Sequence, residues 1–247
     1  GMIIMLLRKI FSKNAAMHQG RWDKTLDNAV EIRGKTLGII GYGNIGSQLS
    51  VLAEALGMQV IYYDIADKLP LGNAQPCNSL KNLLHRSDVV SVHVDGSEKN
   101  QNIISEEELQ QMKDGSVLIN LSRGHVVDLE ALKKWLDLGK LSGAALDVYP
   151  QEPKNSKDEF VNALQGMENV VLTPHIGGNT FEAQKNIAKT VTNRLQSYIT
   201  TGTTMRSVNF PELNVEEVKG THRFIHIHHN IPGVLAEISG ILAKYQI

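Results

Sequence analysis

The residues with the clearest chemical meaning form a glycine-rich turn, Gly41-Tyr42-Gly43-Asn44-Ile45-Gly46. In this spacing the first glycine permits a tight turn, the second lets a pyrophosphate approach the backbone, and the third lets a helix pack on a strand. The helix N-terminus offers free N–H groups and a partial positive charge to the pyrophosphate. Glycine-rich turns are common, but this one directly follows a predicted strand and opens a predicted helix. That context favours dinucleotide binding over a turn without a ligand.

An acidic residue completes the pattern for a dinucleotide. Asp64 ends the next predicted strand, where a carboxylate can accept hydrogen bonds from the ribose hydroxyls of NAD. Ile65, Ala66 and Asp67 follow, so the 2′-phosphate of NADP would meet two carboxylates, with Lys68 as the one nearby cation. The sequence therefore predicts NAD rather than NADP.

Three further side chains, Arg123, Glu152 and His175, each follow a different predicted strand. In an open α/β sheet, ligands bind in the crevice beyond the carboxyl ends of the strands, so three strands could deliver these side chains to one cleft. Taken singly, they have plainer interpretations as a surface cation, a turn carboxylate and a helix-capping histidine. Their shared position beside a dinucleotide turn favours a catalytic set.

The elements that must position these residues are short apolar runs alternating with amphipathic stretches. Strands are predicted at 36–41, 59–64, 88–94, 116–121, 141–148 and 169–173, with helices at 44–56 and 128–138. The runs are uniformly apolar, as expected for a parallel sheet covered on both faces. The predicted fold class is therefore α/β, a doubly wound parallel sheet of the Rossmann type.

The C-terminal part has a different organisation. One long helix is predicted at 177–198, a polar linker at 202–220, a strand at 224–228 and a further helix from Pro232. The last helix carries an apolar stripe, formed by Val234, Leu235, Ile238, Ile241 and Leu242. A single strand and helix cannot bury a core alone. We therefore expect this module to be incomplete or to rely on a partner.

Composition excludes several classes of function. The 247 residues carry a formal net charge of −1, which gives no bulk electrostatic reason to expect a nucleic acid or an anionic membrane as partner. Cys77 is the one cysteine, which fits a reducing cytoplasm. The early apolar run at 2–7 is too short to span a bilayer. His226, His228 and His229 place two imidazoles on one strand face without a clear third ligand, a poor zinc site, so no metal is predicted.

Four segments, in the order GIIGYGNIG, NLSRGHVVD, ALDVYPQEP and TPHIGG, resemble the D-isomer-specific 2-hydroxyacid dehydrogenases. Three more, GRWDK, YDIADKLPLGNA and SVNFPEL, resemble the branch of that family that acts on D-3-phosphoglycerate, and HIHHNIPGVL resembles the start of a regulatory ACT domain. The resemblance implies NAD-dependent oxidation of D-3-phosphoglycerate to 3-phosphohydroxypyruvate, the first step of L-serine biosynthesis. Two alternatives stay open: a dehydrogenase of another D-2-hydroxy acid, and a catalytically silent NAD-binding module.

The resemblance also implies roles for individual residues. His175 would be the general base, Glu152 would orient it and favour its protonated form, Arg123 would hold the substrate carboxylate, and Asp147 would face the nicotinamide carboxamide. His228 and Asn230 match serine-binding positions. The full set expected to bind the cofactor is Gly41, Gly43, Asn44, Ile45, Gly46, Asp64, His93, Val94, Ser122, Asp147, His175, Gly177 and Gly178.

The expected domain organisation is a family pattern shortened at both ends. Residues 1–29 would be a linking helix left from a flavodoxin-like substrate domain together with a dimer-contact segment, and 30–176 the NAD-binding domain. The remaining segments would be a return helix at 177–201, a linker at 202–220 and a partial ACT-like module at 221–247. A homodimer or homotetramer is expected, with Trp22 docking into a neighbouring subunit. One departure from the family pattern is Asp95, where proline usually follows His-Val.

Overall fold

A computed structural model describes residues 1–26, 28–155, 157–216, 218–220 and 223–246. The chain divides into two compact units, Gly1–Gly177 and Gly178–Ile247. Every strand of the sheet and all but two of the assigned α-helices belong to the first unit.

The first unit is built on one seven-stranded parallel sheet in which the strands lie in the order β3-β2-β1-β4-β5-β6-β7. The strand order reverses between β1 and β4, which creates the crevice where open α/β sheets bind ligands. This architecture confirms the predicted doubly wound α/β class. The strands are β1 (Thr36–Ile40), β2 (Gln59–Tyr63), β3 (Gln75–Pro76), β4 (Val89–Val92), β5 (Ser116–Asn120), β6 (Leu141–Leu146) and β7 (Val170–Leu172).

Helices cover both faces of this sheet, so alternate residues of each strand enter two separate cores. In β1, Leu37 and Ile39 pack in one core, while Ile40 packs in the other. This explains the uniformly apolar strands, because both sides of each strand are buried. The helices of this unit are α1 (Met2–Leu7), α2 (Ile10–His18), α3 (Asn44–Ala55), α4 (Leu80–Arg86), α5 (Glu106–Gln111) and α6 (Leu129–Asp137).

The predicted central elements are observed with ends shifted by one or two residues. Two short helices, α4 and α5, and the two-residue strand β3 were not predicted. Both helices carry side-chain caps: Ser79 accepts from the Asn82 amide at 3.1 Å, and Ser105 forms a capping box with Glu108. The Ser-x-x-Glu spacing at Ser105 is a sequence signal that could have located α5.

The N-terminal segment differs from the single linking helix that was predicted. It forms α1 and α2, separated at Lys9, whose backbone has the left-handed φ of 54°. Leu6 and Leu7 are buried in the core on one face of the sheet, and the Lys9 ammonium donates to the Ser142 carbonyl at 2.8 Å. The segment is therefore integrated into the first unit.

The second unit contains α7 (Phe181–Thr201), which begins at the Thr180 cap, and α8 (Val234–Lys244). The strand predicted at 224–228 is wrong, because these residues pair with no strand among the described part of the chain and are exposed. Apolar alternation marks a strand only where a neighbouring strand satisfies its backbone groups. The predicted start of the ACT-like module, at residue 221, lies outside the described residues. None of the helices in the described ranges is long and apolar enough to cross a membrane.

Candidate cofactor and catalytic site

The glycine turn connects β1 to α3 at the point where the strand order reverses. Gly41 has a φ of 89°, which favours glycine, and a Cβ there would lie 2.6 Å from the His93 carbonyl oxygen. A Cβ at Gly46 would collide with the Gly41 carbonyl oxygen. A Cβ at Gly43, by contrast, would meet no described atom within 4 Å. Open space at Gly43, beside the N-terminus of α3, leaves room for a pyrophosphate.

Gly43 and the first two residues of α3, Asn44 and Ile45, are exposed at this turn. Asp64 follows β2 and lies directly beside the turn, because its Oδ2 accepts from the Tyr42 amide at 2.7 Å. Its Oδ1 accepts from the Ala66 amide at 2.8 Å. Each carboxylate oxygen can accept a second hydrogen bond, so the group can still receive ribose hydroxyls.

On the other side of the crevice, His93 and Val94 directly follow β4. The His93 amide donates to the Ile40 carbonyl at 2.7 Å, which places this segment against the glycine turn. Burial lowers the pKa of His93 to about 4, and its Nε2 lies 2.8 Å from the Ser91 hydroxyl. The imidazole is therefore neutral at pH 7 and contributes no positive charge to the crevice.

Asp147, just after β6, organises the loop that carries His175. Its carboxylate is 2 % exposed and accepts from the Thr173 hydroxyl at 2.5 Å, the Ile176 amide at 2.9 Å and the Gly177 amide at 2.7 Å. These three bonds hold the backbone on both sides of His175. The clearest structural role of Asp147 is thus to fix this loop.

His175 and Glu152 form a direct pair at the ends of β7 and β6. The Nδ1–H of His175 donates to Oε2 of Glu152 at 2.8 Å, and Oε1 of Glu152 accepts from the Tyr149 amide at 3.0 Å. Partial burial opposes ionisation of Glu152, but the bonds from His175 and Tyr149 outweigh it and hold its pKa below the usual value. An ionised Glu152 fixes the ring orientation and leaves Nε2 as the free nitrogen.

His175 also has an unusual backbone, with a φ of 53°. Non-glycine residues in the left-handed region are uncommon and cluster at functional sites. A cavity of about 730 Å³ adjoins the pair and is bounded by apolar side chains of Tyr149, Phe160 and Leu172. Asn155, Asp158 and Gln165 also line this cavity, so the imidazole lies between solvent and a recess of mixed polarity.

Arg123 follows β5 and is exposed, with its guanidinium donating to the Ser122 carbonyl at 2.7 Å. Asn120 shapes this loop by accepting from the Ser122 amide and hydroxyl and donating to the Arg123 carbonyl at 2.9 Å. Gly124 packs directly on the Tyr149–Pro150 peptide, where a Cβ would collide. This close approach brings the Arg123 loop beside the loop that leads to Glu152.

Asp95, which stands where the family usually has proline, also lies near Arg123. A Cβ on Gly96 would lie 3.2 Å from the Arg123 Nε, so the backbone after Asp95 borders the guanidinium. Hydrogen bonds from Ser97 and Asn100, together with the Arg123 charge, keep the pKa of Asp95 below its usual value. An ionised carboxylate therefore stands near the cation expected to bind substrate.

The expected residues thus fall into distinct groups. The turn, Asp64, His93 and Val94 lie together at the strand reversal, and the His175–Glu152 pair with Asp147 lies at β6 and β7. No hydrogen bond or ion pair joins Arg123 to that pair among the described residues. Ser122 is buried beneath the Arg123 loop. Gly178, His228 and Asn230 belong to the second unit, where the rings of His226 and His228 are 5.1 Å apart.

Sequence reasoning missed several residues that shape the site. Asn120 is fully buried and connects its loop by three hydrogen bonds, and Gly124 permits a backbone contact. The glycine pattern leaves the residue type at Tyr42 open, so it gives this side chain no role. Asparagine at a strand end favours side-chain bonds to nearby backbone, which is a usable signal. The contact at Gly124 has no local signal, because its partner is distant in sequence.

Comparison with known proteins places this geometry in context. Residues 1–177 match the family model described as D-isomer specific 2-hydroxyacid dehydrogenase, NAD binding domain. The chain is 49 % identical over 244 residues to D-3-phosphoglycerate dehydrogenases from Haemophilus influenzae and Escherichia coli K12, covering 99 % of this chain in each case. It spans only 60 % and 59 % of the lengths of those two relatives.

Solved structures give the same fold. A glyoxylate reductase from Paecilomyes thermophila matches with a TM-score of 0.72 at 35 % identity, covering 86 % of this chain and 61 % of that one. A D-lactate dehydrogenase with NAD+ from Lactobacillus jensenii matches with a TM-score of 0.72 at 27 % identity, covering 79 % and 62 %. The described residues contain no group of three or more histidine, cysteine or acidic side chains arranged to hold a metal ion.

Proposed function

Because the chain belongs to the D-isomer-specific 2-hydroxyacid dehydrogenases and contains their NAD-binding domain, we propose that it takes part in NAD-dependent oxidation of D-3-phosphoglycerate to 3-phosphohydroxypyruvate. The observation that carries this proposal is the 2.8 Å hydrogen bond between His175 and Glu152, formed in the same unit as the glycine turn. The identity to D-3-phosphoglycerate dehydrogenases supports phosphoglycerate over other 2-hydroxy acids.

The residues have clear tasks in this reaction. Bound NAD would supply the hydride acceptor for the carbon that bears the substrate hydroxyl. Nε2 of His175 takes the hydroxyl proton, because Nδ1 is engaged by Glu152. The Glu152 carboxylate stabilises the resulting imidazolium. The Arg123 guanidinium binds the substrate carboxylate with the N–H groups that are not bonded to Ser122. In the reverse direction His175 returns the proton.

The residues around the turn fit the cofactor proposed here. The open position at Gly43 suits a pyrophosphate, and Asp64 suits ribose hydroxyls. The carboxylates of Asp64 and Asp67 disfavour a 2′-phosphate. The same residues therefore support NAD over NADP.

The proposal is tested by two measurements on one sample. NADH is titrated by calorimetry, and NADH consumption is then assayed with 3-phosphohydroxypyruvate, glyoxylate and pyruvate as separate substrates. Fastest turnover of 3-phosphohydroxypyruvate supports the proposal, and faster turnover of either other acid favours a different 2-hydroxy acid. Binding without turnover of any acid favours the silent NAD-binding module. No NADH binding contradicts the proposal.

Three further parts of the proposal concern organisation and surroundings. The resemblance of 226–235 to an ACT domain supports an L-serine effector at His228 and Asn230, which calorimetry with L-serine tests.

Trp22, 79 % exposed, supports a homodimer or homotetramer, which light scattering tests. A cytoplasmic location is supported by Cys77, the one cysteine of the sequence, because a single cysteine cannot form a disulfide within the chain.

A further inference from the structure

The loop at 65–71, which follows Asp64, rests on two stacked tyrosines. Tyr42 belongs to the glycine turn and Tyr62 to β2, and each is 3 % exposed. Their ring centroids are 3.8 Å apart, with 19° between the ring planes. Two buried aromatic rings in this arrangement form a rigid support, because neither can turn without displacing the other.

Each tyrosine hydroxyl is bonded to the backbone of this loop. The Tyr62 hydroxyl donates to the Lys68 carbonyl at 2.7 Å, and the Leu71 amide donates to the Tyr42 hydroxyl at 3.1 Å. The Ser50 hydroxyl donates to the Ser47 carbonyl, so the Tyr42 hydroxyl donates its proton to Ser50 at 2.7 Å. Both tyrosine hydroxyls are therefore used in holding the loop.

Two more contacts complete the connection between the loop and the glycine turn. The Tyr42 amide donates to the Asp64 carboxylate. Tyr42 therefore connects the glycine turn, Asp64 and the loop. Glu54 of α3 accepts from the Asn73 amide at 2.9 Å and from its side-chain amide at 2.7 Å, just after the loop. The loop is thus fixed near its middle and at its C-terminal end.

The loop nevertheless presents apolar surface to solvent. Ile65 is 96 % exposed and Leu69 is 91 % exposed. Ile65 and Leu69 come shortly after Asp64, whose carboxylate is suited to a ribose. These exposed apolar side chains provide a surface for a purine ring.

We propose that Tyr42 and Tyr62 are positioning residues for the adenosine half of NAD, because their hydroxyls hold the 65–71 backbone in its binding conformation before the cofactor arrives. This inference rests on the proposed NAD binding. Preorganisation of this kind raises affinity by reducing the ordering cost on binding. Neither tyrosine needs to touch the cofactor.

The binding test uses Tyr42→Phe and Tyr62→Phe, which keep the stacked rings and remove one hydroxyl each. Calorimetry measures the Kd of NADH and of ADP-ribose, which lacks the nicotinamide but keeps the adenosine diphosphate half. Loss of the hydrogen bond between the hydroxyl and the loop backbone predicts affinities about three- to tenfold weaker for both ligands. Tyr63→Phe is the matched control, because the Tyr63 hydroxyl makes no hydrogen bond to any described residue, and it should bind both ligands like the wild type.

A second readout does not involve the cofactor. Trypsin cleaves after lysine, and the Lys68 carbonyl is the scissile group that the Tyr62 hydroxyl holds. Cleavage between Lys68 and Leu69 in the ligand-free protein, followed by mass spectrometry, should be faster in both variants than in Tyr63→Phe. Circular dichroism melting of each variant separates loop release from global unfolding.

The outcomes are distinguishable. If the wild type binds neither NADH nor ADP-ribose, the proposed NAD binding fails, and this inference fails with it. If the wild type binds both ligands but the two variants match it, the inference alone is overturned. It is also overturned if NADH binding weakens while ADP-ribose binding does not, since the effect would then lie outside the adenosine half. Should Tyr42→Phe not fold, Tyr62→Phe carries the test.

Discussion

At the residue scale, the catalytic proposal depends on how His175 is held rather than on its type alone. Its φ of 53° and the hydrogen bonds from its neighbours to Asp147 fix the backbone, while Glu152 fixes the ring. A general base must be positioned within hydrogen-bond reach of the proton it removes. Three separate constraints on one side chain are consistent with that requirement.

His175→Asn tests this role with little disturbance of the backbone, because asparagine tolerates the left-handed region better than alanine. We expect turnover to fall about 10²- to 10⁴-fold, the usual contribution of a general acid or base. The Kd for NADH should stay close to that of the wild type, since the glycine turn and Asp64 are unchanged. Stopped-flow turnover and calorimetric titration check the two halves. A parallel loss of NADH affinity would contradict the assigned role.

At the element scale, two glycines of the β1–α3 turn differ in whether packing within the protein requires them. Gly46 is required by the protein itself, because the start of α3 lies against the Gly41 carbonyl. Gly43 has no such requirement in the described residues, since a Cβ there would lie in open space. Glycine is favoured over alanine at this helix N-cap, and the proposed pyrophosphate would add a second reason for a small residue.

A pair of alanine variants tests that difference. Gly43→Ala should change the free energy of unfolding by less than about 1 kcal/mol and weaken NADH binding, because the added methyl occupies the pyrophosphate space. Gly46→Ala should cost about 1–3 kcal/mol, because the methyl overpacks the turn. Urea unfolding and NADH titration of both variants measure these effects. Normal NADH affinity in Gly43→Ala would place the pyrophosphate elsewhere.

The opposite end of the sheet is stabilised by Asp88, which accepts from the Thr36 amide at 2.8 Å and from the Lys113 ammonium at 2.6 Å. Burial opposes its ionisation, but the Lys113 and Thr36 bonds outweigh it and lower its pKa. A lowered pKa in the folded state gives stability that is present above the unfolded value and lost as pH falls through the folded one.

Asp88→Asn should therefore reduce the free energy of unfolding by about 1 kcal/mol at pH 7. The difference between wild type and variant should stay constant down to about pH 4, near the unfolded pKa of aspartate, and shrink below it. Urea unfolding over a pH series measures this difference. Asp137→Asn, which removes the exposed ion pair with Lys133, is the control. A difference that does not shrink in acid would rule out ionisation as its source.

At the scale of the whole molecule, the proposed cofactor and catalytic residues concentrate in the first unit. The turn, Asp64, Arg123, Glu152 and His175 all lie within Gly1–Gly177, the same residues that match the family's NAD-binding domain. The second unit holds Gly178 and the expected effector residues, and none of the described residues in its two helices is buried.

A fragment of residues 1–177 should therefore bind NADH with a Kd close to that of the full chain. NADH at about 100 times its Kd should raise the unfolding free energy of either protein by about 2.7 kcal/mol. Calorimetry and thermal melting with and without NADH make the comparison. A folded fragment that has lost NADH binding would show that Gly178 or another part of the second unit contributes to the site.

Features that depend on local spacing can be predicted from the sequence. The Gly41-x-Gly43-x-x-Gly46 turn, the apolar strands and the helix after Asp128 follow from backbone geometry and burial, and the structure has these elements. The family resemblance also followed from short motifs. Local rules failed at 224–228, where an apolar pattern forms no strand among the described residues, since pairing depends on a partner and not on the segment.

The connections between the site residues depend on long-range packing and become visible only in the folded chain. The 2.8 Å bond between His175 and Glu152, the three donors to Asp147 and the Tyr42–Tyr62 stack join residues from different strands and loops. Sequence could place those residues after their strands, because parallel strands end at one edge of the sheet. It could not tell which side chains meet there, because distances across a sheet depend on strand order, and that order is set by packing of the whole unit.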